Sequence, residues 1–531
     1  MTAAEQLPQT IPEVVRRAAA MFGDREGIVD GEVRLTFAEL AAEIDRAARA
    51  LIASGVEPGE RIAIWAPNLL EWAVASFAIH SVGAIVIPIN TRFKGDEAAY
   101  VLGAADVQRL FTVTDFLDTD YVDLLQRAST DVDLDEIIIL RGSVPEGCTS
   151  WSDFMARAEG IDPTASAARA EAVEPNDLCD ILFTSGTTGA PKGAMLMHAP
   201  SIRAYNSWAD VVGLREGDRY LIVNPFFHAF GLKAGILTCL LKGATIVPHP
   251  VFDVPSVMRR IVEEKISMLP GPPAIFQTIL NHPDLASFDL STLRLSVTGA
   301  AAIPTEMIIA MRETLGFENV VTGYGLTEAH GIATMCRHDD DPETIAKTSG
   351  RAIPDVEVRL VDDDSNEVPL GQPGEVVVRG YNLMRGYLDN PEATAQTIDA
   401  DGWLHTGDVA VSDANGNITI TDRKKDMFIV GGFNAYPAEI ENIMNRHPGV
   451  AQVAIVGVPD ERLGEVAMAF VIPTTGTELD TDELIAWCRE HMANYKVPRY
   501  VETVDALPMN ASNKVLKYDL RERGAKRVAA R

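Results

Sequence analysis

TSGTTGAPKG, residues 184–193, stands directly after the β-rich run DILFT at 180–184. A strand that runs straight into a glycine-rich loop is the mark of a layered α/β chain with a ligand at the strand's carboxyl end. Gly186, Gly189 and Gly193 allow the backbone to approach an anion closely, while Ser185, Thr187, Thr188 and Lys192 offer donors to phosphate oxygens. The loop is not a Walker A loop, because Lys192 follows Pro191 and precedes Gly193 in place of Ser or Thr. Outward from it, short β-rich runs at 62–65, 84–87, 220–223, 244–247 and 293–298 alternate with helical patterns at 69–82, 229–241, 255–264 and 304–315. That alternation predicts mostly parallel strands joined by right-handed crossovers.

After residue 351 short alternating stretches at 356–361, 374–379 and 418–420 are split by turns, which predicts a small β-rich subdomain. The charged run 422–426 follows, then Gly431-Gly432 and a second small α/β pattern: helix 437–445, strands 450–456 and 466–472, helix 481–492. The expected fold class is therefore α/β. A large N-terminal domain of layered sheets with a β-rich subdomain, 1–424, precedes a small mobile C-terminal α/β domain, 425–531.

Lys and Arg number 46 against 76 Asp and Glu, a formal charge of −30 that argues against nucleic acid or an anionic membrane surface as partner. The first 22 residues lack the layout of a signal peptide, and the apolar stretch 72–89 is broken by His80 and Pro88, so no membrane span is expected. Five scattered cysteines without a C-x-x-C pair point to buried thiols in a reducing compartment, so a cytoplasmic location is expected.

Four further motifs carry chemistry. Tyr324-Gly325-Leu-Thr327-Glu328 groups a ring that can stack on a base, a hydroxyl for a phosphate and a carboxylate for Mg²⁺. Gly299-Ala300-Ala301-Ala302 leaves room for a flat base, or is simply a tight strand-to-helix turn. In WLHTGD, 403–408, Asp408 can accept from both hydroxyls of a ribose, with Arg423 in support. Lys514 lies in a polar loop close to the C-terminus. Taken singly, the first reads more commonly as a Tyr-Gly turn with a helix-capping Thr, and the last three as a tight turn, a surface turn or salt bridge, and a solvated lysine.

The set and its order decide. TSGTTGAPKG, YGLTE, WLHTGD, DRKKD and GGFNAYPAEIE resemble the adenylate-forming superfamily of acyl-CoA synthetases, firefly luciferases and peptide-synthetase adenylation domains, over nearly the whole chain. The resemblance implies an acid–thiol ligase that uses ATP, Mg²⁺ and CoA. It implies β- and γ-phosphate binding by the 184–192 loop, Ala301 and Tyr324 flanking adenine, Thr327 on the α-phosphate and Glu328 on Mg²⁺. Asp408 and Arg423 would take the ribose, and Lys514 would bridge the acyl carboxylate and the α-phosphate. Lys425 matches the hinge position, and Gly431, Gly432 and Phe433 match the loop lining the thiol channel. His228 matches an aromatic site beside the acyl pocket, to which Phe227, Gly323 and His330 are assigned, with Trp208, Phe230 and Lys233 as further candidates. The family's usual Gly before the catalytic Lys is Asn513 here, a residue that tolerates left-handed backbone better than other non-Gly residues.

The implied chemistry is attack of a carboxylate on the α-phosphate, then attack of a thiol on the acyl carbonyl after a swing about Lys425 removes Lys514. Three rivals stand beside it: a ligase that loads a separate carrier protein, a luciferase, and a non-catalytic acyl-nucleotide-binding protein. A peptide-synthetase module is disfavoured, since seventeen residues after Lys514 are too few for a carrier domain. NPFFHAFGLKAGIL and YGLTEAHGIATMCR are most similar to actinobacterial synthetases of the fatty-acid ligase type. Among these they are similar to the branch acting on the indane-dione propanoate left from steroid rings C and D. Polar His330 and Lys233 beside such a pocket would suit ring ketones. A fatty acid stays an alternative substrate, and a homodimer is left open.

Overall fold

The computed structural model describes residues 7–529, apart from 185–189, 300–302, 363, 424–427, 477–478, 509–514 and 516, and without the side chains of 421–423, 434, 438 and 518. An eight-stranded sheet forms the centre. Its order is Gly386–Tyr387, Lys192–Met197, Leu178–Thr184, Ile85–Pro88, Arg61–Trp65, Arg109–Val113, Glu136–Arg141, Thr149–Ser150. From Leu178–Thr184 onward all neighbours run parallel, and near-continuous apolar strands such as Ile85–Pro88 are buried on both faces. The helix Leu70–Ser81 packs beside them with every residue from Trp72 on buried, as expected for a helix without a polar face.

One departure from the expected topology matters for the site. The strand Lys192–Met197 returns antiparallel to Leu178–Thr184, with Thr184 directly opposite Lys192. The two strands that flank the glycine-rich segment therefore form a hairpin rather than a strand-to-helix crossover. Residues 192–197 carry no β-branched side chain and no strict alternation, so nothing local marked them as a strand.

Two four-stranded sheets, one holding Arg219–Ile222 and Thr245–Pro248 and the other Leu295–Thr298 and Asn319–Tyr324, are joined by single bridges from Met268 to Tyr220 and to Leu295. The β-rich subdomain is an antiparallel sheet of Val356–Val361, Gly374–Gly380, Leu404–Ser412 and Ile418–Arg423. One hydrophobic core runs from Ile11 to Ile418 and a separate one from Phe428 to Leu520, so the chain has a large N-terminal domain and a smaller C-terminal one. The expected boundary at 424/425 lies outside the described residues. The C-terminal sheet contains three strands with no counterpart in the sequence reading: Phe428–Val430, Phe433–Ala435 and Tyr500–Thr503. The two domains meet at Lys496, whose buried ammonium donates to Glu97 at 2.6 Å and to Glu439 at 2.7 Å.

Candidate functional site

The antiparallel edge of the central sheet assembles the anionic end of the site. Thr184 ends one strand and Lys192 opens the next. Glu328 sits on the single turn Thr327–Ala329, which follows the strand Asn319–Tyr324. The Thr184 hydroxyl donates to Glu328 Oε1 at 3.3 Å, and the Tyr387 hydroxyl donates to the same oxygen at 2.7 Å. Lys192 Nζ lies 4.8 Å from the centre of the Tyr387 ring. Burial, with the Glu328 carboxylate beside it, holds the Tyr387 phenol well above its ordinary pKa, so it remains a donor. A carboxylate flanked by hydroxyls is an oxygen donor set of the kind Mg²⁺ prefers. Ser185, Gly186, Thr187, Thr188 and Gly189 lie outside the described residues.

A second group forms beyond the paired strands Leu295–Thr298 and Asn319–Tyr324, which run parallel with Thr298 opposite Thr322. Tyr324 donates its hydroxyl to Asp408 Oδ2 at 2.6 Å. Asp408 is buried on the strand Leu404–Ser412, and Arg423 stands opposite it across the ladder. Residues that are 84 apart in sequence are thus in direct contact, which puts the two nucleoside candidates in one place. Gly325 shapes the turn between the two groups. A Cβ there would lie within 2.6 Å of the Gly331 and Ile332 backbone, so no side chain fits. Gly299 and Gly323 are neighbours, a Cβ on the first lying 3.7 Å from the carbonyl oxygen of the second. Ala300 and Ala301 lie outside the described residues.

On the acyl side the structure separates the candidates. His228 is exposed and caps the short turn Ala229–Gly231, its Nδ1 accepting from the Phe230 amide at 3.2 Å. Phe227 is half-buried, and Phe230 meets Trp208 edge-on at 6.1 Å. The polar pair assigned to ring ketones is spent elsewhere. His330 is fully buried, its Nε2 accepting from the Met197 amide at 3.2 Å and its Nδ1 donating to the Asn382 carbonyl at 2.8 Å. Neither ring nitrogen is left for a ligand. Lys233 is buried as well, paired with Asp180, which also accepts from His80 at 3.0 Å. The expected helix 229–241 is interrupted by a π-helical stretch, Leu232–Leu237, and Lys233 within it pairs with Asp180 on the strand Leu178–Thr184.

Burial pushes the His330 imidazole down to about 4. As pH falls from 6.5, the unfolded chain takes up a proton that the native ring refuses until about 4, so stability declines through that window, by roughly 3 kcal/mol from this group. Denaturant titrations between pH 7 and pH 4 are expected to show this fall. His330→Asn, which suits the left-handed backbone at φ +53, is expected to flatten part of it.

In the C-terminal domain Gly431 and Gly432, at φ +55 and +87, form the two-residue turn between Phe428–Val430 and Phe433–Ala435. The hairpin faces the N-terminal domain. The Arg92 guanidinium lies 4.1 Å above the Phe433 ring, which stacks on Tyr495 at 5.0 Å, and a Cβ on Gly432 would lie 3.8 Å from Pro272. Lys425 and Lys514 lie outside the described residues. The sequence reading missed Tyr387, Thr394 that anchors it, and the Asp180–Lys233 pair. A lone Tyr between Gly386 and Leu388 carries no chemical signature until Glu328 is beside it.

The model of the AMP-binding enzymes matches residues 15–388, and that of their C-terminal domain matches 439–514. The chain belongs to the AMP-binding enzyme family. It is 49% identical, over 97% of its length and 99% of the relative's, to 3-[(3aS,4S,7aS)-7a-methyl-1,5-dioxo-octahydro-1H-inden-4-yl]propanoyl:CoA ligase of Rhodococcus jostii (strain RHA1). It is 48% identical, over 97% and 99%, to the ligase of the same name from Mycobacterium tuberculosis (strain ATCC 25618 / H37Rv). Among solved structures, the amide bond synthetase of Marinactinospora thermotolerans superposes with a TM-score of 0.82 at 28% identity, covering 96% of this chain and 99% of that one. This AMP-binding enzyme is an AMP-forming acyl-CoA synthetase that uses ATP, Mg²⁺ and CoA. Among its described residues no helix is long and apolar enough to cross a membrane.

Proposed function

We propose that the acid activated by this synthetase is a fused-ring propanoate of the indane-dione type, formed into its acyl-adenylate and then its CoA thioester. The observation that carries this reading is the 49% identity over 97% of the chain to the indenyl-propanoyl:CoA ligase. His330 and Lys233 do not contribute to it, because both are engaged within the protein. The ring system would then be selected by shape and apolar contact, with the Phe230–Trp208 pair near His228 as the wall.

Within the site, Thr184 and Lys192 would hold the β- and γ-phosphates, Thr327 the α-phosphate, Tyr324 the adenine, and Asp408 with Arg423 the ribose. Bound Mg²⁺ would supply positive charge at the pyrophosphate oxygens, and Glu328 fits as its carboxylate ligand. Lys514 would bring the acyl carboxylate against the α-phosphate, two anions that otherwise repel. The boundary at 424/425 with Lys425 as hinge would let the Gly431–Gly432 turn approach for the thiol step; the contact of that hairpin with Arg92 supports this part. We place the enzyme in the cytoplasm, where ATP and CoA are supplied.

Incubation with ATP, Mg²⁺ and CoA tests the reading on a panel of indane-dione propanoate, aryl and straight-chain acids. We expect kcat/KM for the ring acid to exceed that for straight-chain acids at least ~10-fold, the order that a few lost apolar contacts supply. A straight-chain acid that is turned over better overturns the substrate. AMP release that requires an added carrier protein overturns CoA as the acceptor.

A further inference from the structure

We propose that Tyr387 is a positioning residue of the adenylation site, one side chain that orients both the metal-binding carboxylate of Glu328 and the phosphate-binding ammonium of Lys192. The inference rests on the reading of those two residues given above.

Tyr387 belongs to the two-residue edge strand of the central sheet, Gly386–Tyr387, which pairs antiparallel with the strand that Lys192 opens. Its backbone is held on both sides. Tyr387 stands opposite Ala194, and its amide donates to Thr394 Oγ1 at 2.9 Å. Thr394 lies in the helix Pro391–Thr397, whose first turn Asn390 caps. A Cβ on Gly386 would meet Thr394 Cγ2 at 2.9 Å, so the helix and the strand close on each other without play. On either side of Tyr387 the chain is tied to the site, by the Met384 amide to the Glu328 carbonyl and by the Leu388 amide to the Gly193 carbonyl, both at 2.8 Å.

From that mount the side chain does two separable things. The ring, 8% exposed, presents its face to Lys192 Nζ at 4.8 Å, within the reach of a cation–π contact. The hydroxyl crosses to Glu328 Oε1 at 2.7 Å. Thr184 donates to the same oxygen from the next strand but one, beyond Lys192–Met197, so two hydroxyls on two strands fix how the carboxylate is turned. A packing tyrosine would need neither contact. Partners that orient a metal ligand in this way are worth about 10- to 100-fold in metal affinity.

The experiment uses the full-length enzyme, a non-hydrolysable ATP analogue and Mn²⁺ as the probe, with free Mn²⁺ read by electron paramagnetic resonance. Tyr387→Phe removes the hydroxyl and keeps the ring; it is expected to weaken Mn²⁺ about 10-fold or more while the melting temperature and the acid KM hold. Tyr387→Leu removes both, and is expected to weaken metal-free binding of the analogue about two- to five-fold further than Tyr387→Phe does. Glu328→Gln is the reference. If it weakens Mn²⁺ and Tyr387→Phe does not, the proposal is overturned and the reading of Glu328 stands. If Glu328→Gln leaves Mn²⁺ binding unchanged, the reading of Glu328 itself has failed.

Discussion

Lys514→Ala is expected to slow acyl-adenylate formation about 10²- to 10³-fold while thioester formation from supplied acyl-AMP is kept. The reason is electrostatic. In the first half-reaction a carboxylate must reach an α-phosphate that already carries negative charge, and a cation bridging the two has no substitute among neutral side chains. In the second half-reaction the nucleophile is a thiol and the leaving group is AMP, and a lysine at the α-phosphate has no task. Asn513 stands where the family usually has Gly, and Asn tolerates left-handed backbone better than other non-Gly residues, so the exchange is compatible with the role assigned to the lysine. ATP–pyrophosphate exchange measures the first step, and CoA consumption with synthetic acyl-AMP measures the second. Equal loss in both would remove Lys514 from the role assigned to it.

Lys233→Met is expected to be the most destabilising single change away from the substrates, at about 3–5 kcal/mol. Lys233 is 1% exposed and Asp180 0% exposed, and their ion pair lies under the π-helical stretch Leu232–Leu237. Burial alone would push the lysine pKa down, but the Asp180 carboxylate outweighs it and holds it above its usual value. Methionine keeps the volume and leaves a buried carboxylate with only the His80 and Cys179 donors. Because the N- and C-terminal cores are separate, calorimetry should resolve the effect. The transition of the N-terminal domain should fall by several degrees and that of the C-terminal domain should not move. The deficit should also shrink as pH falls: burial chiefly lowers the His80 pKa and the Lys233 charge adds to that lowering, so without Lys233 the ring takes up a proton more readily and can become the counter-cation of Asp180. An N-terminal transition that stays in place would mean the pair contributes no net stability.

Local chemistry explains what was legible beforehand. A glycine- and hydroxyl-rich loop after a strand, a Tyr-Gly-Leu-Thr-Glu turn and a Thr-Gly-Asp turn each declare their donors and acceptors within ten residues, and their order along the chain leads to the AMP-binding enzymes. Helices such as Leu70–Ser81 and parallel strands such as Arg61–Trp65 announce themselves because burial on all sides demands predominantly apolar residues. The division into a large and a small domain shows as a change of texture, since the second core must be rebuilt from its own short strands.

Tertiary structure alone decided which of the polar candidates are engaged within the protein. His330 and Lys233 look the same in sequence as His228, three polar residues among apolar ones. Only the contacts with Met197, Asn382 and Asp180 show two of them to be internal. Tyr387 is the opposite case, an unremarked aromatic that the fold brings to Glu328 although the two are 59 positions apart in sequence. The hairpin return at Lys192 likewise depends on pairing with Leu178–Thr184 rather than on its own composition. For His330, Lys233 and Tyr387 the physical reason is the same: a hydrogen bond or ion pair needs a partner within about 3 Å, and for these side chains the partner comes from a distant part of the chain, where no spacing rule reaches.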